Sequence, residues 1–242
     1  MSFSEHLDEL RKRLILAIAG LLVAMIGSFC IGKQILWGLK YPYGLVYGED
    51  LAAMGAVDPL MMYFRVCLYS ALVVAGPWIL YQIWAFVSVG LYENERHIVM
   101  RAVPFSAVLF VGGALFFVFV VSIPMMRFFH AFNQWLGIKE IITLQNHIRF
   151  MTRMMLVFGL GFQMPLVVLV LAKVGVVSVG TLKHFRRHVI VAILIFAAVF
   201  TSPSPLDQVL LALPMWLLYE LGVVMVYLFV QRKREKEEGE AS

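Results

Sequence analysis

Two clusters of interleaved acids and bases carry most of the chemistry in this sequence: Glu5, Asp8, Glu9, Arg11 and Arg13 near its start, and Glu93, Glu95 and Arg96 in a short charged stretch further along. Carboxylates brought together can hold a planar guanidinium through parallel, charge-assisted hydrogen bonds, a geometry that an ammonium group does not reproduce. If the leader packs beside the second stretch, Glu9 and Glu95 form such a patch; the alternative is ordinary solvated charge and lipid contact. Two further polar groups, Gln163 and Glu220, sit inside long apolar runs. At membrane depth a polar group faces protein or a wet cavity, because exposure to lipid is expensive. Each is therefore an interhelical hydrogen bond or part of a polar path.

Other chemistry lacks its groups. There is no Walker loop, no His-Glu-x-x-His pair and no Gly-x-Ser-x-Gly elbow, so nucleotide hydrolysis, zinc proteolysis and serine acyl transfer are not expected. The six histidines (His6, His97, His130, His147, His184 and His188) fall at the edges of apolar runs or between them, without metal-ligand spacing. Cys30 and Cys67 lack the paired spacing of a zinc or redox site and read as small buried hydrophobes, with a disulfide as the alternative should the first two helices be neighbours. No cofactor is implied.

The elements that position these residues are membrane helices. Of 242 residues 62% are hydrophobic and 14% charged, whereas a soluble domain is about half apolar and about a quarter charged. Ser2 and Glu5 have capping-box spacing, and Phe3, Leu7, Leu10 and Leu14 recur at helical period, so residues 1–13 predict an amphipathic helix lying on the membrane surface. The acids in this leader and the length of the following apolar run argue against a cleavable signal. Spans are expected at about 14–31, 66–89, 102–126, 154–172, 189–200 and 209–230. The fifth and sixth are short. After the first span, Tyr41, Pro42, Tyr43, Gly44, Gly48 and Gly55 predict a loop of about thirty residues. Gly76 and Pro77 predict a bend in the second span, and a second loop should run to Arg153 through Trp135, Gln145, Asn146 and His147.

Six crossings put both termini on one side. Thirteen of the 20 Lys and Arg lie in the leader, the second-to-third turn, the fourth-to-fifth linker and the tail, so the positive-inside rule makes that side cytoplasmic. Basic residues beside hydrophobic ends read as orientation signals and anionic-lipid contacts rather than as a nucleic-acid surface. The mixed-charge tail, 231–242, reads as solvated.

Several stretches resemble the TatC family, the multispanning subunit of the twin-arginine protein translocase. They are Glu5 to Leu14, Tyr41-Pro42, Asp58-Pro59-Leu60, Gly76 to Phe86, Gly90 to Arg96, Phe158 to Pro165 and Gln208 to Met215. The resemblance runs collinearly over nearly the whole chain. It implies an all-α protein of six transmembrane helices in a curved, cupped arrangement in the bacterial inner membrane. Such a protein binds twin-arginine signal peptides on its cytoplasmic face and, with single-span TatA and TatB type partners, exports folded proteins using the proton-motive force. Self-association in the receptor complex is implied too. By matching position, Glu9, Arg11 and Glu95 would form the peptide site, with Phe86, Leu91 and Tyr92 beside it. Pro42, Asp58, Pro59, Gln163, Pro165, Ser204, Asp207, Gln208 and Glu220 would be structural or partner-coupling positions. The sequence departs from the family twice. Gln163 stands where the family usually has Glu, and Pro203 is followed by Ser204 where Pro-Asp is common, an acid reappearing only at Asp207.

Two rival readings stand beside this one. Broken helices with intramembrane Gln163 and Glu220 would also suit a proton- or ion-coupled transporter of small solutes. An intramembrane enzyme would need a nucleophile and base pair that the sequence does not offer.

Overall fold

A computed structural model describes residues 3–48, 51, 55–139, 141–200 and 205–231. Among these the secondary structure is helical: α1 (Phe3–Tyr47), α2 (Asp58–Val89), α3 (Glu93–Phe116), a π turn (Phe117–Val121), α4 (Ser122–Trp135), α5 (Leu144–Gly161), α6 (Met164–Val174), α7 (Val179–Phe200), α8 (Pro205–Val226) and a second π turn (Tyr227–Gln231). They form six crossings, because α3 continues through the π turn into α4, α5 is followed at once by α6, and α8 runs on to Gln231. Five crossings are long and apolar enough to span a bilayer; α7 is the exception. Its first half carries Lys183, His184, Arg186, Arg187 and His188, which leaves only its second half uncharged. The last two crossings are the shortest of the six, as expected.

The helices run well past the apolar limits read from sequence, and here three expectations are corrected. No break separates the leader from the first span, since α1 is one helix of 45 residues. The loop expected after residue 31 is helix as far as Tyr47, with Pro42 inside it. A proline in a helix interior removes one hydrogen bond, but tertiary contacts hold this segment. Leu39 and Tyr43 are buried, His147 Nε2 lies 2.9 Å from the Leu39 carbonyl oxygen, and the Tyr43 ring meets those of His147 and Tyr47. The helix ends at Gly48, whose φ of +68° needs a residue without Cβ strain. The second loop is likewise reduced, because α4 and α5 claim both of its ends and His147 is a buried helical residue.

Packing runs from α1 onto α2, from α2 onto α3 and α5, from α3 onto α5 and α6, and from α6 onto α8, with α7 mainly on α8. The outermost members each lean chiefly on one neighbour, which makes an open, cupped array. Its largest core gathers Phe117, Phe158, Met151, Ile148 and Met62. Lipid tails are as apolar as these side chains, so close van der Waals fit rather than escape from water holds the helices together. Gly76 illustrates that fit: a Cβ built there would stand 2.1 Å from the Phe110 ring. Large apolar side chains elsewhere, among them Val23, Ile26, Val108 and Val199, point outward.

Candidate functional site

The leader docks on the end of α2. Arg13 Nε donates to Glu9 Oε1 at 2.6 Å one turn back, and its Nη1 donates to Gln82 Oε1 at 3.1 Å. Gln82 is 2% exposed, so it aims the guanidinium from within the packed face of α2. One turn further along α2, the Phe86 ring lies against His6 with centroids 4.6 Å apart. These contacts set the leader against the last turns of α2, the helix that precedes the second charged stretch in the chain. Of Arg13 and Gln82, Arg13 was read from sequence only as one charge of the leader cluster, and Gln82 was given no role. The Glu9–Arg13 spacing of four residues, which makes ion pairs on one helix face, was the legible signal for the first. Nothing in the sequence pointed to the second.

Gly90 closes α2 and Tyr92 opens α3. Glu95, the third residue of α3, returns its Oε2 to accept the Tyr92 backbone N–H at 3.3 Å, which satisfies one of the donors a helix start leaves open. The Tyr92 side chain stands 83% exposed. Leu91 and Gln163 both line an apolar groove of about 360 Å³ among α2, α3 and α6. Arg11 is not gathered with Glu9. With Asp8 and Lys12 it borders a shallow depression on another side of α1, as expected when two residues are separated by about 200° of helix.

Gln163 sits at the joint between α5 and α6, where the Phe162 and Gln163 backbones leave one helix and Pro165 starts the next. It is buried, and every polar atom of its amide has a use. Ser106 Oγ donates to its Oε1, its Nε2 donates to the Ser106 carbonyl at 3.1 Å, and Trp84 Nε1 donates to Ser106 Oγ at 3.1 Å. One network thus ties α2, α3 and the α5–α6 joint. Of the two alternatives the sequence allowed for Gln163, the interhelical hydrogen bond is the one present. A carboxylate could accept from Ser106 but has no proton to give its carbonyl.

Glu220 is likewise engaged, with Arg186 Nη2 donating to its Oε2 at 2.6 Å across α7 and α8. Beside it, Tyr219 Oη donates to the Leu182 carbonyl at 2.8 Å. Pro165 packs under Gly222, where a Cβ would come within 3.0 Å of the proline Cα. Pro42, Asp58 and Pro59 belong to the opposite end of the molecule from Glu9 and Glu95. There the Asp58 carboxylate accepts the Gly55 N–H at 2.9 Å and Pro59 occupies the first turn of α2. Gln208 lies in the first turn of α8. Ser204 and the side chain of Asp207 lie outside the described residues. Cys30 and Cys67 are both free thiols, so the disulfide alternative is set aside; the Cys67 thiol is directed at the Ser28 carbonyl, 3.6 Å away.

Comparison with known proteins agrees with this architecture. A family model described as Sec-independent protein translocase protein (TatC) matches residues 5–214. The chain is 34% identical to the Sec-independent protein translocase protein TatC of Azotobacter chroococcum mcd 1, over 100% of this chain and 94% of that one. It is 33% identical to TatC of Aquifex aeolicus, over 97% and 98%, and 32% identical to TatCy of Bacillus subtilis, over 93% and 88%. Two crystal structures of a twin-arginine translocase receptor, TatC, superpose with a TM-score of 0.82 at 32% and 33% identity, covering 91% and 92% of this chain and 98% of each of those chains. The chain belongs to the TatC family, the multi-pass inner-membrane proteins of Sec-independent protein translocation.

Proposed function

We propose that this protein recognises twin-arginine signal peptides on the face carrying Glu9 and Glu95, that this face is cytoplasmic, and that with single-span TatA and TatB type partners it exports folded proteins using the proton-motive force. The carrying observation is the docking of the acid-rich leader on the last turns of α2, through His6 on Phe86 and Arg13 on Gln82, the helix end from which the chain turns into the α3 start that holds Glu95. Glu95 uses one oxygen on the Tyr92 N–H; its other oxygen has no partner among the described residues. That oxygen suits one guanidinium of an arriving pair. The second arginine competes with Arg13 for Glu9, exchanging one ion pair for another, which keeps the site charged but never bare. Hydrogen bonds to charged groups contribute about 1.5 to 3 kcal/mol each, enough for selective binding of a peptide with two such contacts. Exposed Tyr92 and the apolar groove at Leu91 offer contacts for the peptide beyond its arginines. Pro42, Asp58, Pro59 and Gln208 belong in this reading to the other face, as positions against which partners dock.

The transporter reading loses its motive, because Gln163 is committed to Ser106 and Glu220 to Arg186. The test is photocrosslinking of a twin-arginine peptide to the reconstituted protein. Glu95→Gln should weaken the crosslink about tenfold or more, the effect of losing one charged hydrogen bond, and replacing the peptide's two arginines by lysines should weaken it comparably. Undiminished crosslinking under both changes sinks the proposal.

A further inference from the structure

A second groove, of about 720 Å³, opens between α3, α6 and α8. Its walls are apolar, with Phe105 and Val108 from α3, Leu169 from α6, and Leu221 and Met225 from α8. Two cations, Arg101 and Lys173, border it. Arg101 lies in the third turn of α3 and Lys173 in the last turn of α6, so both belong to the end of the molecule that carries Glu95. Both are exposed, and neither has a carboxylate or hydrogen-bond partner among the described residues.

The dimensions identify the occupant. From Lys173 to Pro165, which also borders the groove, α6 climbs about 12 Å at ~1.5 Å per residue. That is most of one leaflet, half of a hydrocarbon layer about 30 Å thick. The cations therefore stand at headgroup level, and the apolar walls descend through a single leaflet. A polar solute would find no hydrogen-bonding groups along those walls. A partner's helix would match the walls but has no need of negative charge at the top. An anionic phospholipid matches both parts, because its phosphate accepts charge-assisted bonds from Arg and Lys while an acyl chain fills the groove.

We propose that this groove binds one anionic phospholipid, its phosphate held between Arg101 and Lys173 and an acyl chain lying against Phe105, Leu169 and Met225. The bound chain fills the gap between three crossings, so the lipid acts as a packing element joining α8 to α3. This inference is independent of the signal-peptide reading and survives its failure.

The experiment uses the full-length protein in phosphatidylcholine vesicles doped with a trace of phosphatidylglycerol or of phosphatidylcholine, each carrying a photoreactive acyl chain, with adducts mapped by mass spectrometry. Phosphatidylglycerol should label Phe105, Leu169 and Met225 about fivefold or more above phosphatidylcholine, and the Arg101→Gln/Lys173→Gln double variant should bring the two lipids level. Equal labelling of the wild-type protein by both lipids would mean ordinary annular lipid only and would overturn the proposal. So would preference for phosphatidylglycerol that persists in the double variant with its thermal unfolding unchanged. A co-purified single-span partner that abolishes labelling at Phe105 by either lipid would overturn it as well, by placing a protein helix in the groove. If the variant misfolds, the comparison of the two lipids on the wild-type protein still decides.

Discussion

At the scale of single residues, the structure turns two candidate intramembrane polar groups into joints. Gln163 gives and takes hydrogen bonds with one serine, and the same serine receives the Trp84 indole N–H. Removing the amide leaves the Ser106 hydroxyl and carbonyl short of partners in a buried site, and unsatisfied buried polar groups cost about 1 to 3 kcal/mol. Gln163→Ala should lower unfolding stability in detergent by that amount. Because Ser106→Ala removes part of the same network, the double variant should lose clearly less than the sum of the two single losses; strictly additive losses would show that the network does not couple the helices. The Gln163 reading also accounts for how this chain tolerates an amide where the family usually has an acid. Neutral and fully partnered, it needs no titrating proton to be buried.

At the scale of elements, α1 and the α2–α3 contact carry the most consequence. Because α1 is continuous, residues 31 and 45 should be about 21 Å apart at ~1.5 Å per residue. Spin labels at Ile31 and Leu45, both exposed, should give a narrow distance distribution near that value. A broad distribution would restore the loop. The close approach of α2 and α3 depends on Gly76, over which the Phe110 ring lies. Gly76→Ala should cost about 1 to 3 kcal/mol by overpacking, and Phe110→Leu in the same protein should recover part of the loss. A melting temperature unmoved by Gly76→Ala would mean that the two helices do not meet there.

The whole molecule is an antiparallel set of six crossings, so its two described ends, Phe3 and Gln231, share a face. In the proposed function that face is cytoplasmic, the side to which the positive-inside rule points. In a variant without native thiols, a cysteine at Glu93 should react with an impermeant maleimide only from inside the cell, and one at Ile141 only from outside. The reverse pattern would invert the orientation and remove the proposed peptide site from the compartment where signal peptides arrive.

What was legible from sequence follows the strength of the physical signal. Apolar runs long enough to cross a bilayer, the weakness of the fifth run, and the clustering of basic residues on one side are properties of the chain itself, because the membrane acts on each segment separately. The acids of the leader and of the second-to-third turn were legible in the same way, as charge that had to lie outside the hydrocarbon. Where a helix ends in water is a different matter. Pro42, Tyr43 and Gly44 read as a turn, yet the segment is helical, because buried Leu39, Tyr43 and His147 hold it and outweigh local propensity. The roles of Gln82 and Ser106 were equally hidden, since each depends on a partner on another helix. Composition and charge alone determined that this chain lives in a membrane and which end of it bears the acids. Only packing decided which acids stay available and which polar groups are already spoken for, because a hydrogen bond between residues 57 or 69 positions apart leaves no periodicity in the sequence to read.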